Sequence, residues 1–151
     1  MSNCNRFQGW ILLVFILCLF GGCGDGRAKR VPISGVVTVD GTPLAFGSVT
    51  FLPESVQSEA SRAGGGSLNE NGEFKISSFT PNDGLMPGKY SVMILALEPI
   101  SETSQRWHAP KKYSSVETSG LTIDITEKTD NVAFDLSWEG EEQNAPFVET
   151  F

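Results

Sequence analysis

From Val31 onward, apolar and polar residues alternate with a period of two, and glycine-, proline- and asparagine-rich turns break the alternation about every eight to twelve residues. Val31, Ile33, Gly35, Val37 and Val39 alternate with Ser34 and Thr38, and Asp40-Gly41 then predicts a tight hairpin turn. A second strand is predicted from about Leu44 to Leu52, with Val49 and Phe51 inward and Pro53 stopping it. Ser55 to Gly66 reads as a polar loop ending in three glycines, followed by a short strand near Ser67-Leu68 and the turn Asn69-Glu70-Asn71-Gly72. Glu73 to Ser77 places Phe74 and Ile76 on one face. Pro81-Asn82-Asp83-Gly84 and Pro87-Gly88 then lead into the strongest strand, Lys89 to Leu97. That strand is apolar on both faces, which predicts a central strand covered on both sides. After a loop from Glu98 to Thr118, Leu121–Ile125 and Val132–Leu136 alternate around Lys128-Thr129-Asp130-Asn131, which predicts a hairpin. No window carries a sustained helical period with caps. Seven short strands predict an all-β fold, a Greek-key β-sandwich of immunoglobulin-like or prealbumin-like type.

The first thirty residues follow a different pattern. Arg6 and the terminal amine are positive, and Trp10 to Phe20 is an apolar run of eleven residues. That length suits the roughly 7–15 residues of a secretory leader and falls short of the ~20 needed to span a bilayer. Gly21 and Gly22 then precede Cys23. The segment Leu17-Cys18-Leu19-Phe20-Gly21-Gly22-Cys23 resembles the lipobox of bacterial lipoproteins, in which the leader is cut before the cysteine and the new terminus is acylated, palmitate-type chains included. Phe20 departs from that pattern, which favours Leu at the third position before the cut. An ordinary leader cut near Gly22 or Gly24 is the plainer reading. The chain then divides into a signal peptide (1–22), a lipid-anchored tether (23–30), the β-sandwich (31–137) and an acidic C-terminal tail (138–151). The tail is expected to be mobile, although Trp138, Phe147 and Phe151 are able to dock back.

Charge and cysteine content narrow the function classes. Cys4, Cys18 and Cys23 are the three cysteines, so residues 24–151 hold none. An exported body without thiols has no disulfides, no Cys-ligated metal and no thiol nucleophile. Removing the leader takes away Arg6 and no acidic residue, which moves the formal charge from −7 to about −8. Nucleic acid is a poor partner for such a surface, and anionic lipid head groups repel it, so membrane attachment falls to acyl chains. One chain holds marginally at about 0.8 kcal/mol per buried methylene, and two or more hold stably.

Four segments in order carry a wider resemblance: Ile33-Ser34-Gly35-Val36-Val37-Thr38-Val39-Asp40-Gly41-Thr42-Pro43-Leu44, Gly47-Ser48-Val49-Thr50-Phe51-Leu52-Pro53, Asn69-Glu70-Asn71-Gly72-Glu73-Phe74 and Gly84-Leu85-Met86-Pro87-Gly88-Lys89-Tyr90-Ser91-Val92. Together they resemble the carboxypeptidase regulatory-like, transthyretin-like domains of small bacterial lipoproteins, notably those of planctomycetes. Tyr113 and Thr118-Ser119-Gly120-Leu121-Thr122 fit the same group. The resemblance covers roughly residues 31–137 and implies a β-sandwich in a cell-envelope setting, with no peptidase residues and no reaction to carry over.

The candidate chemistry is sparse. His108 is the single histidine, in Arg106-Trp107-His108-Ala109-Pro110-Lys111-Lys112, and the loop offers it neither nucleophile nor orienting partner. It is expected to be an exposed loop residue. With no Cys and one His, a zinc site lacks ligands. Asp40, Asp83, Asp124, Asp130 and Asp135 lie in or near turns, and turn chemistry accounts for Asp40 and Asp83 without calcium. No catalytic residue, metal or cofactor is expected. Arg106, Trp107, Lys111, Lys112 and Tyr113 form a basic-aromatic patch on an acidic protein. Either it stacks on a sugar or grips an anionic peptide, or Trp107 covers the end of the sandwich and the lysines are solvated. The expectation is a non-enzymatic, lipid-anchored envelope protein for binding or structural assembly, on the periplasmic or cell-surface side. Its partners are the membrane and an envelope protein or glycan. The alternative is a carbohydrate-binding or accessory module of an exported enzyme.

Overall fold

The computed structural model describes residues 29–55, 61–126 and 129–151. The leader, Cys4, Cys18, Cys23 and most of the tether lie outside the described residues, as do 56–60 and the turn position Lys128. Eleven strands in three sheets occur among the described residues: β1 (Ile33–Val39), β2 (Thr42–Pro43), β3 (Ser48–Pro53), β4 (Gly64–Ser67), β5 (Glu73–Lys75), β6 (Gly88–Leu95), β7 (Leu97–Ser101), β8 (Ser104–Trp107), β9 (Leu121–Ile125), β10 (Thr129–Leu136) and β11 (Phe147–Thr150). The fold is an all-β sandwich, and the expected seven strands are replaced by these eleven.

Two sheets make the sandwich. In one, β1 lies between β10 on one side and β2 and β5 on the other; in the second the order is β4-β3-β6-β9. The alternation explains the core. Ile33 and Val37 of β1, Phe74 of β5, and Val132, Phe134 and Leu136 of β10 face Val49 and Phe51 of β3, Tyr90, Val92 and Ile94 of β6, and Ile125 of β9. Phe51 stands at its centre, 6.2 Å from Phe74, 6.4 Å from Tyr90 and 6.1 Å from Phe134 between ring centroids. Each such fully buried side chain contributes roughly 1.5–3 kcal/mol. Gly35 sits where β1 must be thin: a Cβ there would lie 2.1 Å from the Val132 carbonyl oxygen and 2.8 Å from the Phe74 ring. Two turns behave as read from the sequence, whereas Thr129 to Asn131, expected in a turn, begin β10. Asp40 and Gly41 both have positive φ, 48° and 77°, joining β1 to β2. Asn69 closes the next turn, its side-chain oxygen accepting from the Asn71 and Glu73 amides at 2.9 Å each.

Pairing differs from the sequence expectation in three places. β9 and β10 do not form a hairpin. β9 pairs with β6 in one sheet, and β10 runs parallel to β1 in the other, from Ile33↔Thr129 to Val39↔Leu136. Both strands turn their apolar faces to the same core from opposite sides, so a period-two pattern fits either arrangement. The three glycines are strand rather than loop: β4 pairs with β3, and Gly65 also bridges Ser77 across the sandwich edge. A Cβ at Gly64 or Gly66 would strike Leu85 at 2.5 Å or the Lys75 carbonyl oxygen at 2.3 Å, so backbone packs there in place of side chains. β6 is central in its sheet, but only one face is fully buried; on the other, Ser91 and Met93 are half-buried and Leu95 is exposed.

β1 and β10 run side by side, so the sandwich has two distinct ends. At one end the tether arrives beside Val31, which pairs with Leu85, and Arg30, which meets Asp83 at 3.6 Å. Seven residues of β1 separate that end from Asp40, roughly 20 Å away at strand rise. At the far end Asp40 accepts from the Ser137 hydroxyl at 2.7 Å, and the Ser137 amide donates to the Tyr113 hydroxyl at 3.3 Å.

Candidate functional site

The far end is built by the segment read from sequence as one long loop, Glu98 to Thr118. It contains β8 and most of β7, a 3-10 turn at Lys111–Ser114 and a helical turn at Val116–Ser119 capped by the Ser115 side chain. The Ser119 hydroxyl donates to the Val92 carbonyl at 2.6 Å and ties the helical turn to β6. β7 and β8 form a hairpin with Ser101↔Ser104 at its tip, and the His108 amide donates to the Ala96 carbonyl at 2.9 Å. Trp107 and Tyr113 are buried; Ala109 and Tyr113 join the sandwich core. The five patch residues are thus brought to one end, with the two rings inward and the three cations toward the surface.

The cations are paired while remaining partly exposed, and the C-terminal segment supplies most of their partners. In place of a mobile tail, residues 147–150 form β11, antiparallel to β8 with Phe147↔Trp107, Val148↔Arg106, Glu149↔Gln105 and Thr150↔Ser104. Glu149 is the centre of the contact. Its carboxylate accepts from the Lys111 ammonium, from the Trp107 indole at 3.0 Å and from the Gln105 amide at 2.8 Å. These donors, Lys111 first and then Trp107 and Gln105, hold the Glu149 carboxyl at about 2, below the ordinary 4.5. Lys111 also lies 5.2 Å from the Trp107 ring centroid and 5.5 Å from that of Phe147, which meets Trp138 edge-on at 6.2 Å. Lys112 pairs with Glu141 at 3.1 Å and lies over the Tyr113 ring. Loss of hydration works to lower the Lys112 pKa, but the hydrogen bond to Glu141 and the Tyr113 oxygen outweigh it and leave it raised.

Arg106 points to the opposite face of this small sheet and meets Glu98 at 3.3 Å. His108 joins them. It is half-buried rather than a free loop residue, with Nε2 2.9 Å from Glu98 and its ring 5.2 Å from that of Phe46. The hydrogen bond from His108 is the main cause that lowers the Glu98 pKa, with the Arg106 charge adding and loss of hydration opposing. Glu98 is thus an orienting partner for the imidazole, which the sequence reading of the loop did not offer it. The turn aspartates are likewise used internally. Asp83 accepts from the Ser78 amide at 2.7 Å and the Phe79 amide at 3.1 Å; Asp135 accepts from the Thr38 hydroxyl at 2.7 Å. Among the described residues no three His, Cys, Asp or Glu side chains converge as metal ligands, and no helix is long and apolar enough to cross a membrane.

No family model matches the chain, and no curated protein or solved structure matches it either. A groove of about 1240 Å³ runs over the outer face of β1, β5 and β10, lined by Ser34, Asn71, Glu73, Lys75 and Asn131 among others. At the tether end, Phe79 is 52% exposed between two guanidinium groups, Arg30 at 4.0 Å and Arg62 at 4.4 Å from its centroid. Of the residues that make the far end, Gln105 and Glu149 were not singled out from sequence. The available signal was complementarity: an acidic, aromatic tail on a chain whose one basic-aromatic cluster lies about forty residues earlier.

Proposed function

We propose that this chain is a non-enzymatic, lipid-anchored envelope protein whose sandwich serves binding or structural assembly. A transthyretin-like domain of the kind carried by small bacterial lipoproteins is the family reading that goes with it. The observation that carries the proposal is the leader ending in Gly22-Cys23, followed by a body with no other cysteine. A single sulfur at the cut site, with none beyond it, fits acylation better than disulfide or metal chemistry. The fold supports an orientation. The tether joins the end where Arg62 lies over exposed Phe79, a cation and an aromatic suited to the head-group region of a bilayer, with Arg30 beside them held by Asp83. The far end, with the basic-aromatic patch, then faces away from the membrane.

The test is mass spectrometry of the mature N-terminus purified from the native host. The expected terminus is Cys23 with acyl chains on sulfur and amine; an unmodified terminus or intact Met1 refutes the proposal. Cys23→Ser is expected to move the protein from the membrane to the soluble fraction. The carbohydrate-binding alternative draws on one observation, the amide- and hydroxyl-lined groove across β1, β5 and β10. Its large ring, Phe74, is buried beneath the sheet and offers no stacking face, so a glycan array is expected to be blank.

A further inference from the structure

We infer that the edge of β8, with Lys111, Trp107 and Gln105, is a binding site for an extended acidic peptide of a partner protein, and that β11 occupies it in cis. This names a partner chemistry for the binding role proposed above, but it does not depend on the anchor at Cys23.

The receptor half is fastened to the sandwich by contacts outside the tail. Gln105 and Trp107 belong to the β7–β8 hairpin, which is fastened to the sandwich through the His108 amide and the buried Ala109 and Tyr113. Lys111 starts the 3-10 turn that buries Tyr113. None of these placements uses a residue of β11. The ligand half is lightly held by comparison. Val148 is 52% exposed and Phe151 73%, and residues 142–146 are all exposed. Neither Phe147 nor Glu149 belongs to the hydrophobic core. Strands with little buried apolar area and solvent-facing backbone open at a small fraction of the global unfolding free energy. Opening bares the β8 edge, a row of backbone donors and acceptors that accepts a strand.

The contacts of β11 state what the site selects. Backbone pairing with β8 requires an extended chain. Phe147, between Trp138 and Lys111, requires an aromatic or large apolar residue. Two positions on, Glu149 faces three donors that only a carboxylate satisfies together, one of them a cation. The occupant is therefore a strand of the form aromatic-x-carboxylate. On a protein of net charge −7, a locally cationic cradle gives that ligand both attraction and register.

The experiment uses the chain with its C-terminus intact and a fluorescent peptide of residues 144–151, Asn-Ala-Pro-Phe-Val-Glu-Thr-Phe. Anisotropy is measured on the wild type and on the double variant Phe147→Asp, Glu149→Lys, whose own strand no longer fits. The opened variant is expected to bind the peptide at least tenfold more tightly than the wild type. A peptide carrying Glu149→Gln should lose at least tenfold. Equal binding of the two peptides, or no binding by a folded opened variant, overturns the inference. So does a wild-type dimer with exchanged tails in sedimentation, because a second copy would then be the occupant. Hydrogen exchange on the wild type provides a check that needs no variant. The β11 amides should exchange at least tenfold faster than those of β6, and exchange at the global unfolding rate would make β11 a permanent strand and sink the inference.

Discussion

The two-sheet sandwich and the small β7–β8–β11 sheet at its far end are both antiparallel for the most part, yet different forces hold them. In the sandwich, nineteen buried hydrophobic residues among those described form one contiguous cluster. The end sheet is held at its outer strand by one carboxylate with three donors, one ring-on-ring contact and a short backbone ladder. Burial is non-directional and proportional to area, so the sandwich resists local opening. Charge-assisted hydrogen bonds at a partly exposed site weaken with salt and pH, so the end strand is open to control. Sturdiness lies at the centre, and the adjustable element lies at the end proposed to face away from the membrane.

Substitutions should separate these regimes, with the largest effects in the sandwich. Phe51→Ala removes a fully buried ring with three aromatic neighbours and should cost about 3–5 kcal/mol in chemical denaturation. A loss under about 1 kcal/mol would mean the core is not packed as described. Gly35→Ala puts a methyl against the Val132 backbone and should cost about 1–3 kcal/mol by the same measurement, because the obstacle is a carbonyl rather than a flexible side chain.

Smaller effects belong to the end sheet. The Glu149 pKa is lowered on docking, so the contact is at full strength above about pH 4.5 and fades as the pH falls toward about 2. Acid titration followed by two-dimensional NMR should therefore move the Val148 and Thr150 amides in that window, before signals of Val92 and Phe134 change. Coincident transitions would merge the two regions into one cooperative unit. Glu149→Gln at neutral pH should reproduce the release of β11 without shifting the global denaturation midpoint. Smallest of all is Arg106→Ala. Its partner Glu98 keeps the hydrogen bond from His108, and both side chains of the lost pair are well exposed, so stability should not change measurably.

Sequence legibility follows the same division. Phe51, Phe74, Val132, Phe134 and Leu136 could be placed inside from alternation, and Asp40-Gly41 and Asn69–Gly72 could be placed in turns, because these properties are local; in β6 both faces are apolar, so alternation did not choose Tyr90, Val92 and Ile94 over Met93 and Leu95. The far end was less legible. Trp107, Lys111 and Tyr113 marked it as a patch, but its hairpin was hidden inside a segment without clean alternation. Pro99 interrupts β7, which Pro is free to do on an edge strand. The chemistry of Glu149 was legible only as a general complementarity of tail and patch, since its three partners stand 38, 42 and 44 residues away.

Sequence by itself determined that the body is all-β, which residues face most of its core, where its tightest turns fall, and that residues 24–151 hold no cysteine. Tertiary structure alone decided which strand lies beside which: β10 parallel to β1, β9 against β6, β4 built from glycines, and β11 seated on β8. A side chain's period records which way it faces, a property of a few neighbouring residues. Strand pairing is made by backbone groups that every residue carries, so only the long-range packing of the chain can select the partner.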